Sequence, residues 1–125
     1  MLYLKYTGLI LLALFGMLCI HMYSPDLPRD IVDARYSNSA SQFLVSENDL
    51  RIHFRDEGNQ NGHPIVLVHG AFSSLHAFEN WSRILGDQFR IISLDLPGHG
   101  LTGATPTGDY SNDLQPNVIN AISQH

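Results

Sequence analysis

The sequence is poor in the features that mark several function classes. It holds one cysteine, Cys19, so an internal disulfide is excluded. Cys19 lies inside the apolar N-terminal run and carries no information on the redox state around the rest. Basic residues are few: 7 Lys and Arg stand against 12 Asp and Glu, a formal net charge of −5. That balance argues against a nucleic-acid binder, which carries a basic stripe. The acidic surplus is mild and spread out, as on an ordinary solvated surface. No phosphate-binding loop with a lysine is present, which argues against the nucleotide-binding reading of an α/β chain. His69, His76 and His99 match no metal-ligand spacing, so neither a metal nor a cofactor is expected. There is no internal repeat and no strong low-complexity tract.

What the chain does have begins at its N-terminus. Lys5 precedes an apolar run through Leu9, Ile10, Leu11, Leu12, Leu14, Phe15, Met17, Leu18 and Ile20. From Tyr6 to Tyr23 about 18 residues carry no charge, a helix of roughly 27 Å and close to the thickness of a bilayer core. The run ends Leu18-Cys19-Ile20-His21-Met22-Tyr23, without the small residues of a signal cleavage site. An uncleaved anchor over residues 1–23 is therefore expected, with secretion the outcome if the segment is cleaved. Lys5 on one side, and Asp26, Arg29 and Asp30 on the other, place the N-terminus in the cytoplasm and the rest outside. Residues 24–42, with Pro25, Pro28 and the polar Ser37-Asn38-Ser39-Ala40-Ser41 stretch, read as a linker.

Residues 43–125 read as a folded α/β unit. Phe43-Leu44-Val45 predicts a short strand and Glu47-Asn48-Asp49 a turn. Leu50, Ile52 and Phe54 then alternate with Arg51, His53 and Arg55, the period of a half-buried strand. Gly58 to Gly62 predicts a loop. Pro64-Ile65-Val66-Leu67-Val68 is a continuous apolar run, expected of a strand covered on both faces. A helix follows, with Ser74 a candidate N-cap and Phe78, Trp81 and Leu85 on one face. Core packing is expected for Phe78 and Trp81, and the pocket mouth for Phe72. Arg90 to Leu94 predicts another strand, and Asp95-Leu96-Pro97-Gly98-His99-Gly100 a tight loop. Leu114, Val118, Ile119 and Ile122 mark a last helix, whose start Pro116 limits. An antiparallel hairpin thus opens a sheet that continues with parallel strands and helices.

Two segments carry a family resemblance. His69-Gly70-Ala71-Phe72-Ser73-Ser74 follows one strand directly, and Asp95-Leu96-Pro97-Gly98-His99-Gly100-Leu101-Thr102-Gly103 follows the next. Together they resemble the N-terminal portion of the α/β-hydrolase fold, over roughly Phe43 to the end. The resemblance implies strand order 1-2-4-3-5 and acyl chemistry. It also implies that a backbone N–H in the loop after the third strand belongs to the oxyanion hole. That donor is expected to be Ala71, with Phe72 the second candidate. Gly70 lets the backbone turn close to the substrate. His69 and His99 are implied to brace their loops rather than to act as bases.

The family's nucleophile sits in a G-x-S-x-G elbow, and its acid and base follow in chain order. No such elbow occurs in these residues, and Ser73, Ser74 and Ser111 lack its flanking glycines. The expected function is that of an N-terminal fragment, inactive and poorly soluble alone, of a parent that hydrolyses an ester or similar acyl bond. A dehalogenase or epoxide hydrolase parent, with aspartate at the elbow, is the alternative on the same scaffold. A membrane-tethered binding fragment that pairs through an open sheet edge is the alternative outside catalysis.

Overall fold

The computed structural model describes residues 2–124, with side chains from Tyr6 to Gln124. The chain divides into two compact units, Met1–Ile31 and Val32–His125. In the first, α1 (Leu2–Met22) carries the apolar run, and Leu9, Leu11, Leu12, Phe15 and Ile20 are exposed along it. Among the described residues no helix is long and apolar enough to cross a membrane, so the anchor expected over 1–23 finds no support there. Lys5, on which the expected orientation rests, lies outside the described side chains.

The expected linker is partly ordered. It holds α2 (Arg29–Tyr36), and the first strand begins at Ser41. The linker reading followed the prolines and serines and missed the side chains that hold the end of α2. Asp33 receives Arg51 through two hydrogen bonds, of 3.2 and 2.7 Å. The same guanidinium lies over the Phe43 ring, 3.5 Å from its centroid. The carbonyl of Tyr36 accepts from Arg55.

The sheet has four strands: β1 (Ser41–Val45), β2 (Arg51–Gly58), β3 (His63–Val68) and β4 (Phe89–Leu94), in the order β1-β2-β4-β3. This is the expected order as far as the fourth strand. β1 and β2 form the hairpin, with Ser41 opposite Arg55 and Val45 opposite Arg51. The hairpin turn seats Asp49 at φ 58°, and the Ser46 hydroxyl accepts the Leu50 N–H. β4 runs antiparallel to β2 and parallel to β3, with Val68 beside Leu94. β3 is the edge strand and is only half-buried, not covered on both faces. At Gly58, φ +82°, a Cβ would strike the backbone of Gly86 and Phe89, so only glycine lets β2 turn beside β4.

One face of the sheet builds the apolar core. Leu50, Ile52, Phe54, Ile92, Leu94 and Leu96 pack with Val118 and Ile122 of α4 (Leu114–Ser123). The period of α4 matches its sequence pattern, and Pro116 falls in its first turn, where the missing N–H costs nothing. The opposite face carries a 3₁₀ turn (Leu75–Phe78) that runs into α3 (Glu79–Leu85). Ser74 takes the N-cap position before the 3₁₀ turn, as expected, but its side chain makes no capping hydrogen bond. Trp81 is 57% exposed and not in the core. β2 also departs from its alternation: His53 and Arg55 are as buried as Ile52 and Phe54. Polar side chains are buried on this face because they find partners there.

Candidate active site

The C-terminal ends of β3 and β4 release two loops on the polar face of the sheet, and one carboxylate joins them. Asp95 is fully buried directly after β4. Its Oδ1 accepts the Leu75 N–H at 2.8 Å, from the start of the 3₁₀ turn. Its Oδ2 accepts the Leu101 N–H at 2.9 Å and His53 Nδ1 at 2.8 Å. Its carbonyl takes the Thr102 hydroxyl at 2.7 Å, and that hydroxyl accepts the His53 N–H at 2.9 Å. The loop after β3, the loop after β4 and strand β2 are thereby fixed to one another. Beyond Asp95, His53 Nε2 lies 3.0 Å from the Ser41 hydroxyl, and its ring stacks on Phe43.

Burial favours the neutral acid and would raise the pKa of Asp95. The His53 hydrogen bond, the N–H groups of Leu75 and Leu101 and the attraction of His53 together outweigh it, and the pKa is held below its ordinary value. Gly100 lies against this carboxylate at φ +47°, and a Cβ there would collide with the Asp95 side chain. Gly100→Ala is accordingly expected to cost about 2–4 kcal/mol of stability, from positive-φ strain and displacement of a buried hydrogen-bonded group. Thermal unfolding of the variant beside the parent chain checks this.

His69 holds the other loop. Its Nε2 accepts the Leu96 N–H at 3.0 Å, and its Nδ1 donates to the Gly70 carbonyl at 2.8 Å. These bonds assign the ring proton to Nδ1. Asp95 Oδ1, 3.9 Å from Nε2, is too far for a hydrogen bond. His99 lies with its ring 5.1 Å from that of His69 and bonds the Pro97 carbonyl at 3.1 Å. Both histidines engage backbone groups of their own loops, the geometry of braces. His76 stands apart, bonded to Ser74, Arg55 and Tyr36.

Between His69 and Leu75, whose N–H is held by Asp95, lies the segment Gly70-Ala71-Phe72. Phe72 has φ 59° and is fully exposed. Among the described residues the Ala71 and Phe72 N–H groups have no protein acceptor. Sequence reasoning singled out this loop. It missed His53, read as an outward residue of β2, and Arg55, buried beside Glu79. Their one sequence signal is two polar residues in a strand whose neighbour ends in aspartate.

The model of the family described as alpha/beta hydrolase fold matches residues 63–125. The chain belongs to the alpha/beta hydrolase fold family. An uncharacterized hydrolase of Saccharomyces cerevisiae is 33% identical to this α/β-hydrolase chain over 79 residues, covering 62% of the chain and 27% of the relative. The 2-hydroxy-6-oxononadienedioate/2-hydroxy-6-oxononatrienedioate hydrolase of Escherichia coli is 31% identical over 91 residues, covering 67% of the chain and 31% of the relative. The α/β-hydrolase chain thus spans about a third or less of the length of these relatives. Among solved structures, the Cif epoxide hydrolase from Acinetobacter nosocomialis superposes with a TM-score of 0.62 at 26% identity. It covers 82% of this chain, which covers 36% of it.

Proposed function

We propose that these residues supply the oxyanion side of a membrane-tethered hydrolase acting on an ester or similar acyl bond of a small molecule. The observation that carries the reading is the loop after β3. It is held at both ends by His69 and Asp95 and leaves the Ala71 N–H without a protein acceptor. Attack on an acyl carbonyl drives charge onto its oxygen, and a preorganised N–H answers that charge without reorganising. In this reading Ala71 is the donor and Phe72 the second candidate. Nucleophile, acid and base are not assigned within the 125 residues, which lack an elbow.

A fluorophosphonate probe tests the reading. The 125-residue chain is expected to stay unlabelled and inert toward p-nitrophenyl esters. In its native source, labelling is expected on a polypeptide that contains these residues, at a serine beyond residue 125. Labelling of Ser73, Ser74 or Ser111 would overturn the assignment.

A second reading is epoxide opening by a parent with aspartate at the elbow. It is favoured by the Acinetobacter epoxide hydrolase, whose match extends over 82% of the chain. Epoxide turnover in the native source without fluorophosphonate labelling would select it.

The tether in this proposal is α1, with the folded part on the non-cytoplasmic side. It is supported by the uncharged run from Tyr6 to Tyr23 and by the exposure of its large apolar side chains. Retention in membranes after carbonate washing, with Val32–His125 open to protease from outside, is the expected result. Release by carbonate would remove the tether.

A further inference from the structure

Asp95 holds the loop that carries Ala71, and a line of bonds reaches Asp95 from behind, through residues that precede the family match at 63–125. Its outer end is Ser41, half-buried at the start of the edge strand β1. Ser41 Oγ lies 3.0 Å from His53 Nε2, and His53 Nδ1 lies 2.8 Å from Asp95 Oδ2. Asp95 Oδ1 then takes the Leu75 N–H at 2.8 Å. These groups connect the rim of the sheet to the far end of the Gly70-Ala71-Phe72 segment.

The proton positions follow from Asp95. Its pKa is held below the ordinary value, so at neutral pH it is a carboxylate and only accepts. His53 Nδ1 therefore carries a proton, whatever the charge on the ring. Among the described residues the Ser41 hydroxyl is the partner of Nε2. That hydroxyl also receives the Asn38 N–H at 3.1 Å and lies 3.4 Å from Asn38 Oδ1. The contact with Nε2 is the shorter of its two side-chain contacts and so the stronger. His53 is fully buried, and its ring stacks on Phe43 with centroids 5.0 Å apart. Stacking fixes the plane of the ring but not its sense. A half-turn about χ2 keeps the stack and turns carbon toward both Asp95 and Ser41. The bond to Ser41 makes that turn cost a second hydrogen bond.

We propose that Ser41 and His53 are positioning residues for the loop that carries Ala71. Ser41 locks the His53 ring from outside. The ring, with Nδ1–H aimed at Oδ2, fixes the Asp95 carboxylate so that Oδ1 stays on the Leu75 N–H. Neither residue lies in the loop itself, and both act through Asp95. The effect on turnover rests on the hydrolase reading, whereas the relay is measured at Leu75 without turnover.

The test is amide exchange and histidine ring-nitrogen spectroscopy on the full chain held in lipid nanodiscs. His53→Leu is expected to speed exchange at Leu75 about 10–100-fold, the loss of a bond to a charged acceptor. His53→Asn, whose side-chain N–H replaces Nδ1–H, is expected to recover most of this. Ser41→Ala is expected to speed exchange at Leu75 about 2–5-fold, the lower end of one hydrogen bond, and to move the His53 Nε2 resonance toward that of an unbonded nitrogen. Ser41→Thr, which keeps the hydroxyl, is expected to restore both. The amides of Val118 and Ile122, in α4 on the apolar face, are expected to keep their rates in the Ser41 variants, which separates the effect from a loss of global stability. In a hydrolase that carries these residues, Ser41→Ala is expected to lower kcat about 2–5-fold with KM unchanged. A response at Leu75 with kcat unmoved would support the relay and count against the Ala71 assignment. Leu75 exchange and an Nε2 resonance that ignore Ser41→Ala, or a Ser41→Thr chain that behaves as Ser41→Ala does, would overturn the proposal.

Discussion

Replacing Asp95 with alanine is expected to remove about 3–5 kcal/mol of stability, close to the whole of a marginal domain's reserve. The side chain accepts from the N–H groups of Leu75 and Leu101 and from His53 Nδ1. Alanine leaves these donors buried and unpaired, and each orphan costs about 1–3 kcal/mol before relaxation. Simple addition overstates the loss, because water will reach part of the space. Asp95→Asn is expected to cost less, since one oxygen remains to accept while the amide nitrogen faces a donor. Amide exchange at Leu75 and Leu101 reads the effect directly. Both amides should lose protection in Asp95→Ala, while those of Ile52 and Leu94 change only with global stability. Unchanged protection at Leu75 and Leu101 would show that the carboxylate does not hold the loops.

The same group sets an acid limb. Asp95 has its folded pKa below its ordinary value, so the folded state favours the carboxylate more than the unfolded chain does. Its contribution is fully present above the unfolded aspartate value of about 3.9. It is lost as pH falls through the lower folded value. Acid titration of stability is expected to show this limb in the parent chain and to show it flattened in Asp95→Asn. An equally steep limb in both chains would assign the acid sensitivity to groups other than Asp95.

The elements most legible in the sequence were those whose side chains have one environment each. α4 follows its apolar period because its inward face, with Val118 and Ile122, meets the apolar core, and β4 reads as a strand because Ile92 and Leu94 enter the same core. The strand order followed from the family resemblance that the two loop motifs carry. Legibility ends where polar groups are buried in pairs. His53 and Arg55 have the alternation of solvent-facing residues, and only a partner distant in sequence reveals otherwise: Asp95 for one, Glu79 and Tyr36 for the other. Periodicity carries no information about partners. α2 was missed for a related reason. Its end is held by Asp33 on Arg51, a contact eighteen residues apart in the chain, while its local composition favours a linker. For the site, the loop was legible as a motif, but the carboxylate that immobilises it was read only as a residue closing a strand.

In a hydrolase that carries these residues, loss of the Ala71 N–H is expected to lower kcat about 10²–10³-fold with little change in KM. A bulky residue at φ 59° costs about 1–2 kcal/mol, and Phe72 gains no packing in return, being fully exposed. The neighbours impose that conformation: His69 and Asp95 fix the ends of the loop, and the segment between them turns to leave its N–H groups without protein acceptors. Strain held in place by surrounding bonds, at a loop with open donors, supports a preorganised site. Semisynthesis separates the two candidate donors. An ester in place of the Gly70–Ala71 peptide removes the Ala71 N–H, and one in place of the Ala71–Phe72 peptide removes that of Phe72. The first is expected to carry the loss in kcat and the second to leave the rate within a few-fold of the parent. The reverse result would move the oxyanion donor to Phe72. Equal small effects from both would remove this loop from the chemistry and leave it a structural turn. Phe72→Gly relieves the positive-φ strain and keeps both N–H groups. It is expected to retain the rate, which distinguishes a role for the backbone from one for the aromatic ring.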